Sequence, residues 1–316
     1  RCHRAGCDPV RCVFAGTPDV AAVALRALLD SRHEPVAVLT RPDARAGRGK
    51  ELAASPVAVL AREAGLELLQ PTSTRDAALA ERLAALAPDC APIVAYGGLI
   101  PAGLLDVPRL GWVNLHFSLL PAWRGAAPVQ HAVWHGDDVT GATTFRLDEG
   151  MDTGPVFGTV TEAVRPDDTS GDLLARLAVT GAWLLIATLD ALEEGAVQAV
   201  AQSGEPSLAP KLGVDDARIR WDHPAVGVDR LVRACTPAPG AWTMVGDDRL
   251  RVQPVRIVAD GPQLAPGQIE ASRDGVLVGT ASAPVRLGLV QPAGKRPMPA
   301  ADWVRGARLA PGTVLR

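Results

Sequence analysis

The chain has 316 residues, with 32 basic and 35 acidic side chains and a formal net charge of -3. Hydrophobic residues make up 47% and charged residues 21%, ordinary for a globular protein and long enough for two domains at roughly 100–200 residues each. The 31 glycines and 27 prolines follow no repeat period, which excludes collagen-like and low-complexity chains. No apolar run approaches the ~20 residues of a membrane helix, and no apolar stretch follows the basic residues 1–11 as a secretory signal requires. Five cysteines, at positions 2, 7, 12, 90 and 235, are odd in number and lack a C-x-x-C pair, so a reducing, cytoplasmic setting is expected. Cys2, His3, Cys7 and Cys12 match no usual zinc spacing, and no metal site is expected.

Residues 10–15 read as a strand, followed by a helix to residue 29, a strand over 35–40 and helices over 56–64 and 77–87. Strands follow at 93–95 and 112–115. Strands alternating with helices of about ten residues predict a doubly wound, Rossmann-like parallel sheet. Pro92 cannot donate to a sheet ladder and is expected at the start of its strand. Residues 171–194 form one long predicted helix that Thr169 or Ser170 would cap. A Gly/Pro/Ser-rich stretch begins near residue 204, and a helix is predicted over 225–234. Short β-like runs at 249–258, 267–270, 275–280 and 284–290 then suggest a small, OB-like β-barrel. The expected organisation is a catalytic domain over 10–203, a linker over 204–222 and a C-terminal barrel over 223–316. Residues 1–9 have no apolar periodicity and are expected to be a non-native or disordered extension, with the natural start at Val10.

Charge is unevenly spread. Residues 211–316 hold 15 basic against 10 acidic side chains, so the smaller part is basic and the larger acidic. A polyanionic partner for the C-terminal part is one reading; an arginine-rich composition is the other. The only lysines are Lys50, Lys211 and Lys295. They mark positions where ammonium and guanidinium are not interchangeable, or else chance.

The first strand runs into a helix through Gly16-Thr17-Pro18 without the further glycines of a dinucleotide site, so nicotinamide binding gains no support. The informative stretch begins at Gly111. Asn114 and His116 are two apart at a strand end, so both side chains leave one face. Ligands of open parallel sheets bind at that carboxyl end, although a satisfied structural histidine is the simpler reading of His116 alone.

Asn114-x-His116-x-Ser118-Leu119-Leu120-Pro121, then Trp123-Arg124-Gly125, then Asp148-Glu149-Gly150-Met151-Asp152-Thr153-Gly154, resembles the signature of the folate-dependent formyltransferases. Phe14–Pro18 and the loop from Arg41 to Lys50 are similar to the branch of that family that acts on aminoacyl-tRNA. The resemblance implies that the formyl group of 10-formyltetrahydrofolate passes to the α-amine of methionyl initiator tRNA. By the same resemblance Asn114 and His116 face the developing oxyanion, His116 relays a proton, and Asp152 orients His116 and favours its protonated form. Ser118, Leu119, Leu120 and Pro121 would wall the folate. Arg41, Arg45, Arg48 and Lys50, with Lys211 and Lys295, would meet tRNA phosphates. The chain departs from the family at Ala44, where an arginine usually follows Pro-Asp; Arg45 comes next. Arg124 reads equally as a solvated loop arginine and stays outside the candidate site. A monomer without membrane attachment is expected. Two alternatives remain open: a formyltransferase for a small amine, such as a nucleotide or amino sugar, and a non-catalytic RNA-binding protein.

Overall fold

A computed structural model describes residues 8–46, 51–273, 275–307, 309 and 312–316, with the backbone alone at 45, 46 and 51. Residues 1–7 of the expected extension lie outside the described residues.

The chain begins with β1 (Arg11–Gly16), α1 (Asp19–Leu29), β2 (Glu34–Leu39), a hairpin of β3 (Ala44–Ala46) and β4 (Glu51–Ala53), α2 (Pro56–Glu63), β5 (Glu67–Leu69), α3 (Ala77–Leu86), β6 (Ala91–Val94), α4 (Ala102–Leu105) and β7 (Trp112–His116). Then come α5 (Pro128–His135), β8 (Val139–Arg146), β9 (Val156–Ala163) and α6 (Ser170–Glu193). Seven strands make one sheet in the order β5-β2-β1-β6-β7-β8-β9. The first five are parallel, and β8 is antiparallel to both its neighbours, β7 and β9. Buried on both faces, β1 carries Cys12-Val13-Phe14-Ala15 with no polar interruption, as a strand covered by helices on each side requires. Val13, Leu39, Leu83 and Trp112 share one side's core.

Side-chain caps fix the helix starts. The Ser55 hydroxyl accepts from Ala58 N ahead of Pro56, and the Asp76 carboxylate accepts from Ala78 N. Thr169 caps α6, accepting from Asp172 N at 3.2 Å while the Asp172 carboxylate accepts from Thr169 N at 3.1 Å, a reciprocal capping box. At 24 residues α6 is long and apolar enough to cross a membrane by length and composition, against the expectation that no run approaches this. Its buried residues Leu173, Leu177, Leu185 and Leu189 recur at helical spacing, and Gly181 sits against Leu115 of β7. Those contacts are those of a core helix.

The remaining elements are α7 (Ala225–Ala234), β10 (Trp242–Val245), β11 (Asp248–Val252), β12 (Arg256–Ile257), β13 (Ile269–Ser272), β14 (Gly275–Val278), β15 (Val285–Leu287), β16 (Leu289–Pro292), β17 (Met298–Pro299) and α8 (Ala300–Ala307). They form two four-stranded antiparallel sheets, β10-β11-β16-β17 and β12-β15-β14-β13, around a core that includes Trp221, Trp242, Val278 and Trp303. This is the small barrel expected from the spacing of short strands.

Two compact units result: residues up to 125 with 139–163 and 174–208, and residues 126–138, 164–173 and 209–316. The units interleave in sequence, unlike the contiguous ranges expected. Within the second unit α5 packs on α7, and Arg233 Nη1 donates to Asp168 O at 3.1 Å, which ties 126–138 and 164–173 to it. Residues 204–208, expected as linker, belong to the first unit.

Candidate active site

Asn114 and His116 leave one face of β7 at its carboxyl end, with Asn114 opposite Phe145 and His116 opposite Thr143 on β8. The Phe145 ring meets His116 edge-on, centroids 6.5 Å apart. Asn114 is half-buried and its side-chain amide makes no hydrogen bond among the described residues. A polar group in that position is available to a ligand.

His116 is only 7% exposed. Its Nε2 lies 2.9 Å from Trp123 O; a carbonyl only accepts, so Nε2 carries the hydrogen and Nδ1 is the basic atom of the neutral ring. Nδ1 stands 3.7 Å from Asp152 Oδ2, too long for a hydrogen bond but close for a charge. Burial pushes the His116 pKa below its ordinary 6.5, while the Asp152 carboxylate and the Trp123 carbonyl oppose the shift. Burial and the Asp152 carboxylate thus pull the ring in opposite directions, and burial outweighs the carboxylate.

Asp152 lies on the β8–β9 turn with φ of 53°, a left-handed conformation that Asp tolerates better than most residues. Its Oδ2 accepts from Gly125 N at 2.7 Å. Asp148 closes the same turn, accepting from Gly150 N and from Thr153 Oγ1. Gly154 is obligatory there, because a Cβ would come 1.7 Å from Arg146 O. From outside the turn, Gln202 Nε2 donates to Asp152 O and Gly154 O, both at 2.8 Å. Gln202 Oε1 accepts from Arg124 Nη2 at 2.7 Å and Nε at 3.2 Å.

Ser118 is fully buried; its hydroxyl donates to Ala122 O at 2.6 Å, and its carbonyl accepts from Thr143 Oγ1 at 2.7 Å. It shapes the loop from within. Leu119 lies over Gly141, Leu120 N donates to Thr143 Oγ1 at 3.3 Å, and Leu120 and Pro121 are half-buried. Ser207 clasps the loop's far end: its N donates to Pro121 O, its Oγ accepts from Trp123 N and its carbonyl accepts from Arg124 N.

Of the basic residues, Arg41 stands at the base of the 41–50 loop. Its carbonyl accepts from Gln70 Nε2, and its guanidinium opposes the upward push that burial gives the Tyr96 hydroxyl. Gln70 and Arg62 hold Asp43, whose carboxyl they keep below its usual range. Arg45 lies on β3; Arg48 and Lys50 lie outside the described residues. Lys211 and Lys295 are exposed and belong to the second unit, where Lys295, Arg249 and Trp303 line a cavity of about 770 Å³.

The structure therefore brings Asn114, His116, Asp152 and residues 118–121 together on one unit. Sequence reasoning missed Gln202, which sits in a stretch without periodicity, and set aside Arg124, whose position in the Trp-Arg-Gly string was its only signal.

A mixed sheet thus carries the Asn-x-His pair at the end of β7, with the Asp152 turn facing it. Residues 10–189 match the formyl transferase family and residues 211–308 match the formyl transferase C-terminal domain; the chain belongs to that family. A methionyl-tRNA formyltransferase of Salinispora tropica is 60% identical over 307 residues, covering 97% of this chain and 100% of the relative. Another, from Streptomyces coelicolor, is 60% identical over 305 residues, covering 96% and 98%. Among solved structures, HypX from Aquifex aeolicus in complex with tetrahydrofolic acid aligns with TM-score 0.66 at 19% identity, over 93% of this chain and 47% of that one. An N-formyltransferase of Helicobacter canadensis in complex with folinic acid and dTDP-3-aminofucose aligns with TM-score 0.66 at 14% identity, over 88% and 98%. At these identities the two structures speak to the fold alone.

Proposed function

We infer that this enzyme transfers the formyl group of 10-formyltetrahydrofolate to the α-amine of methionine esterified to initiator tRNA, for translation initiation. The observation that carries the reading is the identity of 57–61% to proteins of that name across both units. A sugar 3N-formyl transferase shares the fold at 14% identity.

The amine attacks the formyl carbon, forming the new C–N bond and placing negative charge on the formyl oxygen. The Asn114 amide, uncommitted among the described residues, donates to that oxygen. One such donor is worth roughly 10²–10³ in rate. Neutral His116 takes the amine proton at Nδ1, since Nε2–H is committed to Trp123 O. Asp152 then stabilises the imidazolium across 3.7 Å. Collapse of the adduct breaks the bond between the formyl carbon and the folate nitrogen, which receives that proton from His116. Leu119, Leu120 and Pro121 wall the folate, with Ser118 buried behind them where its hydroxyl holds the loop. Arg41, Arg45, Arg48, Lys50, Lys211 and Lys295 neutralise tRNA phosphates. The protein works as a cytoplasmic monomer.

The test supplies the whole chain with formyl donor and either initiator methionyl-tRNA or a nucleotide-linked amino sugar. Formylation of the tRNA alone is expected. Formylation of the sugar with none of the tRNA would overturn the reading.

A further inference from the structure

We propose that Gln202, held by Arg124, is a positioning residue that sets the distance between the Asp152 carboxylate and His116; this rests on the roles inferred above for those two. Asp152 has three tethers of different kinds. Its carboxylate is tied to Gly125 N, its turn is closed internally by Asp148, and its carbonyl is tied by Gln202 to a separate segment. The first two move with the local loops. Gln202 anchors the turn to the segment after α6, where Val200 pairs with Val156 at the start of β9 through hydrogen bonds of 2.7 and 2.8 Å.

The amide has one workable orientation. Its oxygen faces two guanidinium N–H groups and its nitrogen faces two carbonyl oxygens. Rotated by half a turn, it would set donor against donor and acceptor against acceptor. Arg124 therefore fixes which end of Gln202 meets the turn. The turn in question holds Asp152 at positive φ, a conformation that persists in a residue with a side chain where its surroundings enforce it. Without the two donated bonds the Asp152 carbonyl and the Gly154 carbonyl lose their partner, and the carboxylate drifts from His116 Nδ1.

The 3.7 Å gap makes the consequence readable. Asp152 raises the His116 pKa against burial, so a receding carboxylate lowers that pKa further. A residue that merely stabilised the fold would not move it.

The test uses Gln202→Leu, neutral and of similar size, and Gln202→Asn, one methylene shorter, in the full chain, with thermal melts to confirm folding. The His116 ring titration is followed by NMR without substrates. Gln202→Leu should lower the His116 pKa, and Asn should do so less. In turnover, kcat should fall about 10- to 100-fold, as displacements near 1 Å do, with KM for both substrates within about threefold. Combined with Asp152→Asn, Gln202→Leu should add little, because the charge it positions is gone. An unmoved His116 titration in folded Gln202→Leu, or a loss that adds in full to that of Asp152→Asn, would overturn the proposal. Because the titration needs no formyl transfer, a wrong substrate assignment would leave that result standing.

Discussion

His116 and Asp152 face each other with Nδ1 and Oδ2 3.7 Å apart, while the opposite ring nitrogen is fixed 2.9 Å from Trp123 O. In the proposed reaction this pair receives the amine proton. A neutral ring accepts at the atom that faces the carboxylate, and the charge it gains is then compensated.

A pH dependence follows with a definite sign. Burial holds the His116 pKa below 6.5, and the base must be unprotonated, so the pH profile of kcat/KM should carry a His116 limb below pH 6.5, separate from the limb of the substrate amine. Asp152→Asn removes the group that raises the pKa and should move that limb lower still, while slowing turnover. A limb shifted upward in the variant would contradict the assignment of Asp152.

The 41–50 loop should act through charge. Replacing Arg45, Arg48 and Lys50 with Ala should raise KM for tRNA and lower the salt dependence of tRNA binding by roughly one in slope per lost phosphate contact. KM for the formyl donor should hardly change. Binding measured across a salt series checks this, and an unaltered slope would remove the loop from the tRNA interface.

Much of this site is legible in the sequence, and the rest is not, for physical reasons. The period-two spacing of Asn114 and His116 fixed their shared face, and the short motif strings pointed to Asp152. The antiparallel β8 and β9 went unread: β8 is buried on both faces and carries Thr140, Thr143 and Thr144 inside, so it lacks both clean alternation and an apolar run. Pro92, expected to start its strand, stands second in β6. Gln202 could not be found from pattern, because its role is made by four bonds to distant residues and none to its neighbours.

Acid should loosen the fold through another histidine. His33 accepts from Val10 N at Nδ1, and burial lowers its pKa from 6.5 although Asp190 opposes this. The unfolded chain then binds more protons below about pH 6.5, so stability present above that pH is lost as pH falls through the lowered folded value. His33→Leu should be less stable at pH 7, by about 1–3 kcal/mol for the orphaned Val10 N–H, yet lose less between pH 7 and 5. Denaturant midpoints at several pH values measure both effects; an equal slope in the two proteins would exclude His33 as the source.

Gly154→Ala should disturb the catalytic turn more than the fold. Its Cβ would meet Arg146 O at 1.7 Å, a backbone atom that cannot swing aside, so the turn carrying Asp152 must shift. Activity should fall by at least about tenfold, on the scale of a misplaced catalytic group, while the circular dichroism spectrum is retained. Full activity would show that the turn has slack.

The central claim is that Asn114 and His116 perform formyl transfer, and the single-turnover rate with saturating formyl donor and initiator methionyl-tRNA tests it most directly. In Asn114→Ala and His116→Ala the rate should drop at least about 10²-fold, with donor binding and melting temperature near those of the unaltered protein. Rates within a few-fold of the unaltered protein in both variants would contradict the account.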